Sequence, residues 1–442
     1  MKINLNQKVR RLGCKSNGSW RTVHGARMGK EWILVGLIVL GFSVLGIGQP
    51  ITKMFVKEVE VAADSRVVTN LPRTMDFYMH GTMTLDDSPS GLIISGKNND
   101  PILTLKEDLN IATWDKNVIK QTVEITIVPE DQQEAQAFLE ALELEINDDY
   151  TGNYTVDCNM NIKKMEMRNS FFSSDKTHFF LDNGKKYVIK SMEIKTTLTI
   201  PKSNDLRVEG KYGTINVGDL DGELEVDLNY CDLRAGNIET VRGTFTNCKD
   251  VHFKSIGEGN FSAKNSGIYI NKVEKLMLGF QRLKNGCELV SKKNVNSALN
   301  EFHIKKAGQI LVSESSTDQF VIDEVDHLEV PKAVFSNFKI VKLNKTLFAN
   351  ISSGDLTIST IAAGFESVSI NNKTSTVILG TAKDCSYMLN AYRNDVSEFF
   401  LPKSAIAMGK EEGMTSTFLK GNKATAGNIS IRCEQCKVVF MD

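Results

Sequence analysis

The chain has 442 residues, with 53 Lys and Arg against 54 Asp and Glu and a net charge of −1. That length can bury a large core and allows two or three domains, while the balanced charge argues against a nucleic-acid binder, which carries a basic surface. Eight prolines and 32 glycines beside 8% aromatic residues suit many short strands joined by tight turns.

Trp32 to Thr52 holds no charged side chain, and its centre, Ile33 to Gly48, is an apolar run of sixteen. Lys2, Lys8, Arg10, Arg11, Lys15, Arg21, Arg27 and Lys30 precede it, against the single acid Glu31. Gly46 and Gly48 before Gln49 resemble a small-x-small cleavage site, and the run is short of the ~20 residues that span a bilayer comfortably. Residues 1–48 are therefore read as a leader: either a signal peptide cleaved near Gly48, or a retained anchor. Both readings put the chain after Gln49 outside the cytoplasm, because the basic flank stays inside. Met28 is an alternative start. Beyond the leader seven cysteines remain, Cys158, Cys231, Cys248, Cys287, Cys385, Cys433 and Cys436, too sparse for a stapled miniature domain.

From Pro50 to about Val128 the pattern is strand-like, as in Met54-Phe55-Val56, Leu92-Ile93-Ile94 and Ile102 to Leu105. Residues 118–128 follow the turn Asp115-Lys116-Asn117 and alternate cleanly in their second half. The period then changes, with apolar residues at Ala135, Phe138, Leu139 and Leu142 after Pro129 and three acids. That spacing predicts one short helix near 130–142, its acids favoured by the helix dipole. Residues 147–185 are polar and irregular, with turns at Asn147-Asp148-Asp149, Ser173-Ser174-Asp175 and Asp182-Asn183-Gly184, and read as a loop-rich insertion within a β-rich part spanning 49–200. Ile194 to Ile200 forms a strand closed by Pro201.

The remainder, 201–442, is organised by a repeat. Tyr212-Gly213-Thr214-Ile215-Asn216-Val217 returns eighteen residues later as Tyr230-Cys231-Asp232-Leu233-Arg234-Ala235. With Ile215 as index, the equivalent sites are Leu233, Val251, Ile268, Phe302, Phe320, Phe338, Leu356 and Val377, with an irregular coil near Cys287 and Leu289 after Ile268. Two residues on, the site stays apolar (Val217, Ala235, Phe253, Ile270, Ile304, Ile322, Ile340, Ile358, Leu379), and the residue between is mostly polar or aromatic. A register held this long predicts an all-β fold, a parallel β-solenoid with coils of ~18 residues whose equivalent side chains stack ~4.8 Å apart. The nine-residue spacing of Leu206, Ile215, Leu224 and Leu233 fits two main sides per coil better than a triangular helix of hexapeptides.

The run from Tyr212 to Ile238, YGTINVGDLDGELEVDLNYCDLRAGNI, is similar to the repeated pattern of the bacterial putative-adhesin family, whose domain is likened to an auto-transporter adhesin head (GIN-type). Trp114 to Asn117, the strand to Val128 and the helix from Gln132 resemble that family's N-terminal part. The resemblance covers roughly Met54 to Asp442, with the best motifs at 114–142, 206–238 and 335–361. Cys231 departs from the expected Gly, and the coil at 279–299 is degenerate. The resemblance implies an exported, all-β cell-envelope protein and transfers no catalytic residue.

Candidate chemistry is weak on its own terms. Six histidines are scattered, and His252 and His303 share an outward column about three coils apart, ~14 Å at the strand spacing, too far to hold one metal. Cys433-Glu434-Gln435-Cys436 has CxxC spacing but no second pair for zinc and no strand-to-helix context for redox work, so free thiols or a local disulfide are expected. Val438 falls at an index position, which sets Cys436 at the turn where Cys231 sits. Cys231 and Cys248 are close enough in neighbouring coils for a staple to be considered. Asp219, Asp221, Glu223, Glu225 and Asp227 alternate with Leu224, Val226 and Leu228 and read as one solvated strand face.

No catalytic, cofactor or metal-binding residue is assigned. The expectation is a non-enzymatic envelope scaffold presenting a surface to a cell-surface glycan or an envelope protein, touching the membrane only through its N-terminal apolar segment. A β-helical carbohydrate-active enzyme and a membrane-anchored envelope-stress or signalling component are the alternatives.

Overall fold

Inward positions filled by Leu, Ile, Val and Phe at every second residue commit this chain to strands with one buried face. The computed structural model describes residues 49–442 apart from 63–64, 71–75, 81–83, 89–90, 96–100, 143–144, 149–152, 158–160, 171–172, 283–288, 292–296, 395, 403, 409–413 and 442. The leader, Cys158 and Cys287 lie outside the described residues. Among the described residues the fold is all-β with one α-helix, and 32 strands join in a single mixed, mostly parallel sheet. No helix among the described residues is long and apolar enough to cross a membrane.

The repeat positions pair as the spacing predicts. Ile215 pairs in parallel with Leu233, Leu233 with Val251 and Val251 with Ile268, and Phe302, Phe320, Phe338, Leu356 and Val377 continue the series. Val377 then pairs with Val438, which confirms the index position of that residue. A second column runs alongside, from Leu206 through Leu224 and Val241 to Gly259, and later from Leu328 through Leu347 to Val368. Both columns reach back into the N-terminal part, where Ile215 pairs with Leu109 and Leu206 with Val67.

Inside the first column the rings of Phe302, Phe320 and Phe338 stack at 4.8 and 4.5 Å, nearly parallel. Identical residues at identical register fill the core as a continuous stack, which one unit alone could not bury.

At one corner the chain turns through a left-handed residue in ten units. These are Tyr212, Tyr230, Asn247, Asn265, Leu299, Thr317, Phe335, Ser353, Thr374 and Gln435, all with φ between 51° and 61°. None is glycine, so all but Asn247 and Asn265 carry a steric cost of roughly 1–2 kcal/mol, and those two less. In four successive units the next residue offsets part of that cost. Ser266 Oγ accepts from Cys248 N, Asn300 Oδ1 from Ser266 N, Asp318 Oδ1 from Asn300 N, and Ser336 Oγ from Asp318 N, all between 2.9 and 3.2 Å. Ser266 Oγ and Ser336 Oγ in turn donate to the carbonyl two residues back. Buried backbone groups at the corner are thus satisfied from unit to unit.

Two features differ from expectation and a third lies beyond it. No coil lies between Ile268 and Phe302, which pair directly. The chain leaves the ladder after Leu278 into an antiparallel pair, Phe280–Arg282 with Leu289–Ser291, and rejoins it at Ser297–Ala298. Residues 147–185, expected to be loop-rich, contain the strands Asn153–Asp157, Ile162–Ser170 and Ser173–Leu181. The turn Asp182-Asn183-Gly184 joins the last of these to Lys186–Pro201 as a hairpin, with Gly184 at φ 79°. Third, the C-terminal strands are not the last rungs, because Tyr387–Arg393 and Glu398–Phe400 pair on their far side.

The predicted helix is Gln132–Ala141, capped by Asp131 Oδ1, which accepts from the amides of Gln133 and Glu134. Its buried face, Ala135, Phe138 and Leu139, packs on the N-terminal sheet, with Phe138 set edge-on to Tyr187 at 5.3 Å.

Candidate functional site

The residues singled out in the sequence are dispersed. His252 and His303 lie two rungs apart, not three, because no coil separates Ile268 from Phe302. Tyr269 sits between them, stacked at 4.6 and 4.9 Å, and each imidazole Nε2 meets a carboxylate, Asp250 or Glu301. No group of three potential metal ligands occurs among the described residues.

The acids of 219–227 each have a structural partner or face solvent. Asp221 pairs with Lys202 at 3.0 Å and Glu223 with Arg242 at 2.7 Å; Glu225 takes Arg66 and Arg207. Desolvation raises the Glu223 carboxyl above its usual range, with Arg242 opposing it. Asp219 Oδ1 accepts from the amide of Asn237, and that bond holds its carboxyl below the usual range. Asp227 is exposed.

Cys433 and Cys436 form a disulfide. The staple considered between Cys231 and Cys248 is not formed, and both are buried free thiols. Each donates to the carbonyl two residues back, Asn229 or Thr246. Desolvation pushes the Cys248 and Cys385 thiols up.

A concave surface does occur, on a stretch that sequence reasoning passed over. On the outward side of the second column, a groove of about 520 Å³ crosses the strands Gln319–Val334, Asn337–Ser352 and Ser367–Lys373. Its walls include Gln309, His327, Glu329, Thr346, Phe348 and Ser369. The register accounts for the hollow. A bulge between Val325 and His327 sets His327 opposite Thr346, and Thr346 in turn lies opposite Ser367. These steps of nineteen and twenty-one residues lengthen the turn and bend the sheet locally.

Phe348 stands 37% exposed between Glu329 and Ser369 of the adjoining strands. At one wall His327 Nδ1 is 2.8 Å from Thr346 Oγ1.

The outward rows beyond the groove carry little charge. One runs Thr346, Ser367, Asn428, Met388; the next runs Phe348, Ser369, Ser430, Asn390. A third runs Asn350, Asn371, Arg432, Tyr392, with Asn371 Nδ2 donating to Asn350 Oδ1 at 2.6 Å and Arg432 lying over the Tyr392 ring at 5.0 Å. Earlier on the same face the equivalent positions hold ions, Arg207, Glu225 and Arg242 in one row and Glu209 and Asp227 in another. One side of the sheet therefore changes from an ion-pair lattice to rows mostly of amides, hydroxyls and two aromatic rings, with Arg432 paired to Glu434 at 3.5 Å among them.

No protein-family model matches the chain, and no curated protein matches it. Solved structures give distant likenesses. A putative cell adhesion protein from Clostridium sporogenes is 9% identical with a TM-score of 0.15, covering 88% of this chain and 99% of its own. A putative adhesin from Parabacteroides merdae is 11% identical with a TM-score of 0.24, covering 88% and 97%. A putative lipid binding protein from Parabacteroides distasonis is 11% identical with a TM-score of 0.21, covering 88% and 97%. At such scores these likenesses carry no conclusion about family or activity.

Proposed function

We propose that the chain is an exported, non-enzymatic cell-envelope protein in which a parallel β-solenoid displays the groove around Phe348 to neutral glycan chains. The observation that carries this reading is that the groove opens onto rows mostly of amides and hydroxyls, where the first rungs of the same face carry paired ions. Amide and hydroxyl groups offer both donors and acceptors to sugar hydroxyls. The strands repeat them every ~4.8 Å, a lattice suited to a ligand that itself repeats. Phe348 offers an apolar surface for the C–H face of a pyranose.

Support for a non-enzymatic role comes from the acid count. Among the described residues Glu329 is the one carboxylate lining the groove, whereas glycoside hydrolysis ordinarily employs two. Export is supported by the basic flank and apolar run of residues 1–48.

Purified protein is to be tested on an array of neutral, sulfated and uronic-acid glycans. Binding confined to neutral chains is the expected result. Selection of anionic chains overturns the ligand class, and turnover abolished by Glu329→Gln overturns the non-enzymatic reading.

A further inference from the structure

The last rungs are out of sequence order. In the first column Thr376–Thr381 pairs with Lys437–Met441, and that strand pairs on its other side with Glu398–Phe400. In the second column Ser367–Lys373 pairs with Gly427–Glu434, which pairs on its other side with Tyr387–Arg393. Residues 367–381 and 387–400 follow one another in the chain, yet they lie two rungs apart. The rung between them is made by residues 427–441, reached only after the chain has passed through the antiparallel strand Thr415–Lys420.

Without that occupant the flanking strands would face each other across two rung spacings, ~9.6 Å, and no backbone hydrogen bond could cross. The occupant fills the gap completely. Ile429, Ile431, Cys433, Cys436 and Val438 point inward and none is more than 5% exposed. Its corner is held from both sides: Thr374 N donates to Glu434 O, Lys437 N to Ser375 O, and Glu398 N to Cys436 O, at 3.0, 3.1 and 3.0 Å. The Cys433–Cys436 disulfide lies wholly within the segment. It ties the segment's two strands to each other and ties neither to a neighbour. The lead-in, Asn422 and the single turn Lys423–Thr425, is exposed.

We infer that this gap is a strand-acceptor site whose ligand is the C-terminal segment, a preformed two-strand unit that enters after the flanking rungs have folded and that a second copy of the chain can supply in place of its own. The physical basis is that of strand addition, with main-chain bonds giving affinity and alternate side chains giving specificity. Here both edges of the ligand are paired instead of one. Both flanking stretches precede the segment in the sequence, so they are synthesised before it. Exchange between copies is then a swap of an identical element.

The test uses the full chain with a protease site placed at 422–426 and cut after folding. Isotope-labelled peptide 427–442, oxidised, is added below the unfolding transition and the mixture is read by native mass spectrometry. The expected result is an intact nicked complex that takes up one labelled peptide per chain as its own segment leaves. A peptide carrying Ile429→Asp and Ile431→Asp is not taken up. Hydrogen exchange should show only the amides that bond the segment, such as those of Thr374 and Glu398, losing protection when it is absent, the rest of the flanking strands keeping theirs. The inference is overturned if the nicked chain unfolds on cutting, if labelled peptide enters only upon global unfolding, or if either flanking stretch loses all its protection with the segment gone.

Discussion

Replacing Phe320 by Ala removes the middle ring of the stacked core and gives the sharpest test of how that core holds together. Phe320 is 1% exposed and lies between Phe302 at 4.8 Å and Phe338 at 4.5 Å. Truncating a buried Phe costs about 3–5 kcal/mol through lost transfer energy and the cavity left behind. The upper part of that range is expected here, because hydrogen-bonded strands on both sides fix the rung spacing and prevent collapse into the void. Each aromatic contact accounts for roughly 0.5–1.5 kcal/mol beyond area burial. Phe320 loses two such contacts; Phe302→Ala or Phe338→Ala loses one, since their other index neighbours are Ile268 and Leu356. The centre variant should therefore be the more destabilised by about 1 kcal/mol. Urea unfolding followed by circular dichroism measures all three, and hydrogen exchange locates the damage, which in a repeat architecture falls on adjoining rungs first. A cost for Phe320→Ala at or below that of Phe302→Ala would refute the stacked-core account.

The corner residue Thr317 sits at φ 61° and is exposed, so Thr317→Gly should stabilise the chain by about 1 kcal/mol through relief of the left-handed penalty; a loss of denaturation midpoint would contradict this. Asp219 has its folded-state pKa depressed by the Asn237 amide, so its stabilising contribution is present above the unfolded value of about 3.9 and is lost as pH falls through the folded value. Melting curves between neutral pH and pH ~2 should accordingly show a shallower acid limb for Asp219→Ala than for the parent, whereas parallel curves would count against the bond. Cys231, Cys248 and Cys385 are at most 2% exposed, and iodoacetamide should leave their peptides unlabelled until urea unfolds the chain. Prompt labelling of the native protein would show that the corner opens.

Repetition made the ladder legible, because a side chain's face follows from its place in the period. The helix was legible for a similar reason, since the switch of period after Pro129 needs no knowledge of its neighbours. Rung order was not legible. Val438 could be assigned to the index site from its pattern, yet nothing in that pattern says that its neighbours are Val377 and Phe399. Periodicity reports which side a residue takes, and the identity of the paired strand is a long-range property. The hairpin at Asp182-Asn183-Gly184 was missed because the strand before it, Ser173–Leu181, is polar through Thr177, whereas the turn chemistry itself was visible. A signal for the groove was present in the step of twenty-one between Leu356 and Val377, together with the outward series Ser367, Ser369, Asn371. Even so, recognising a face as polar but uncharged needs the neighbouring strands beside it.

The most direct test of the glycan-displaying face is calorimetric titration of a neutral oligosaccharide that the array identifies, comparing the parent with Phe348→Ala and with Lys339→Ala on the first column. Phe348→Ala should weaken binding at least tenfold, about 1.4 kcal/mol, and Lys339→Ala should leave it unchanged. Equal affinity of the parent and Phe348→Ala would contradict the assignment of this groove.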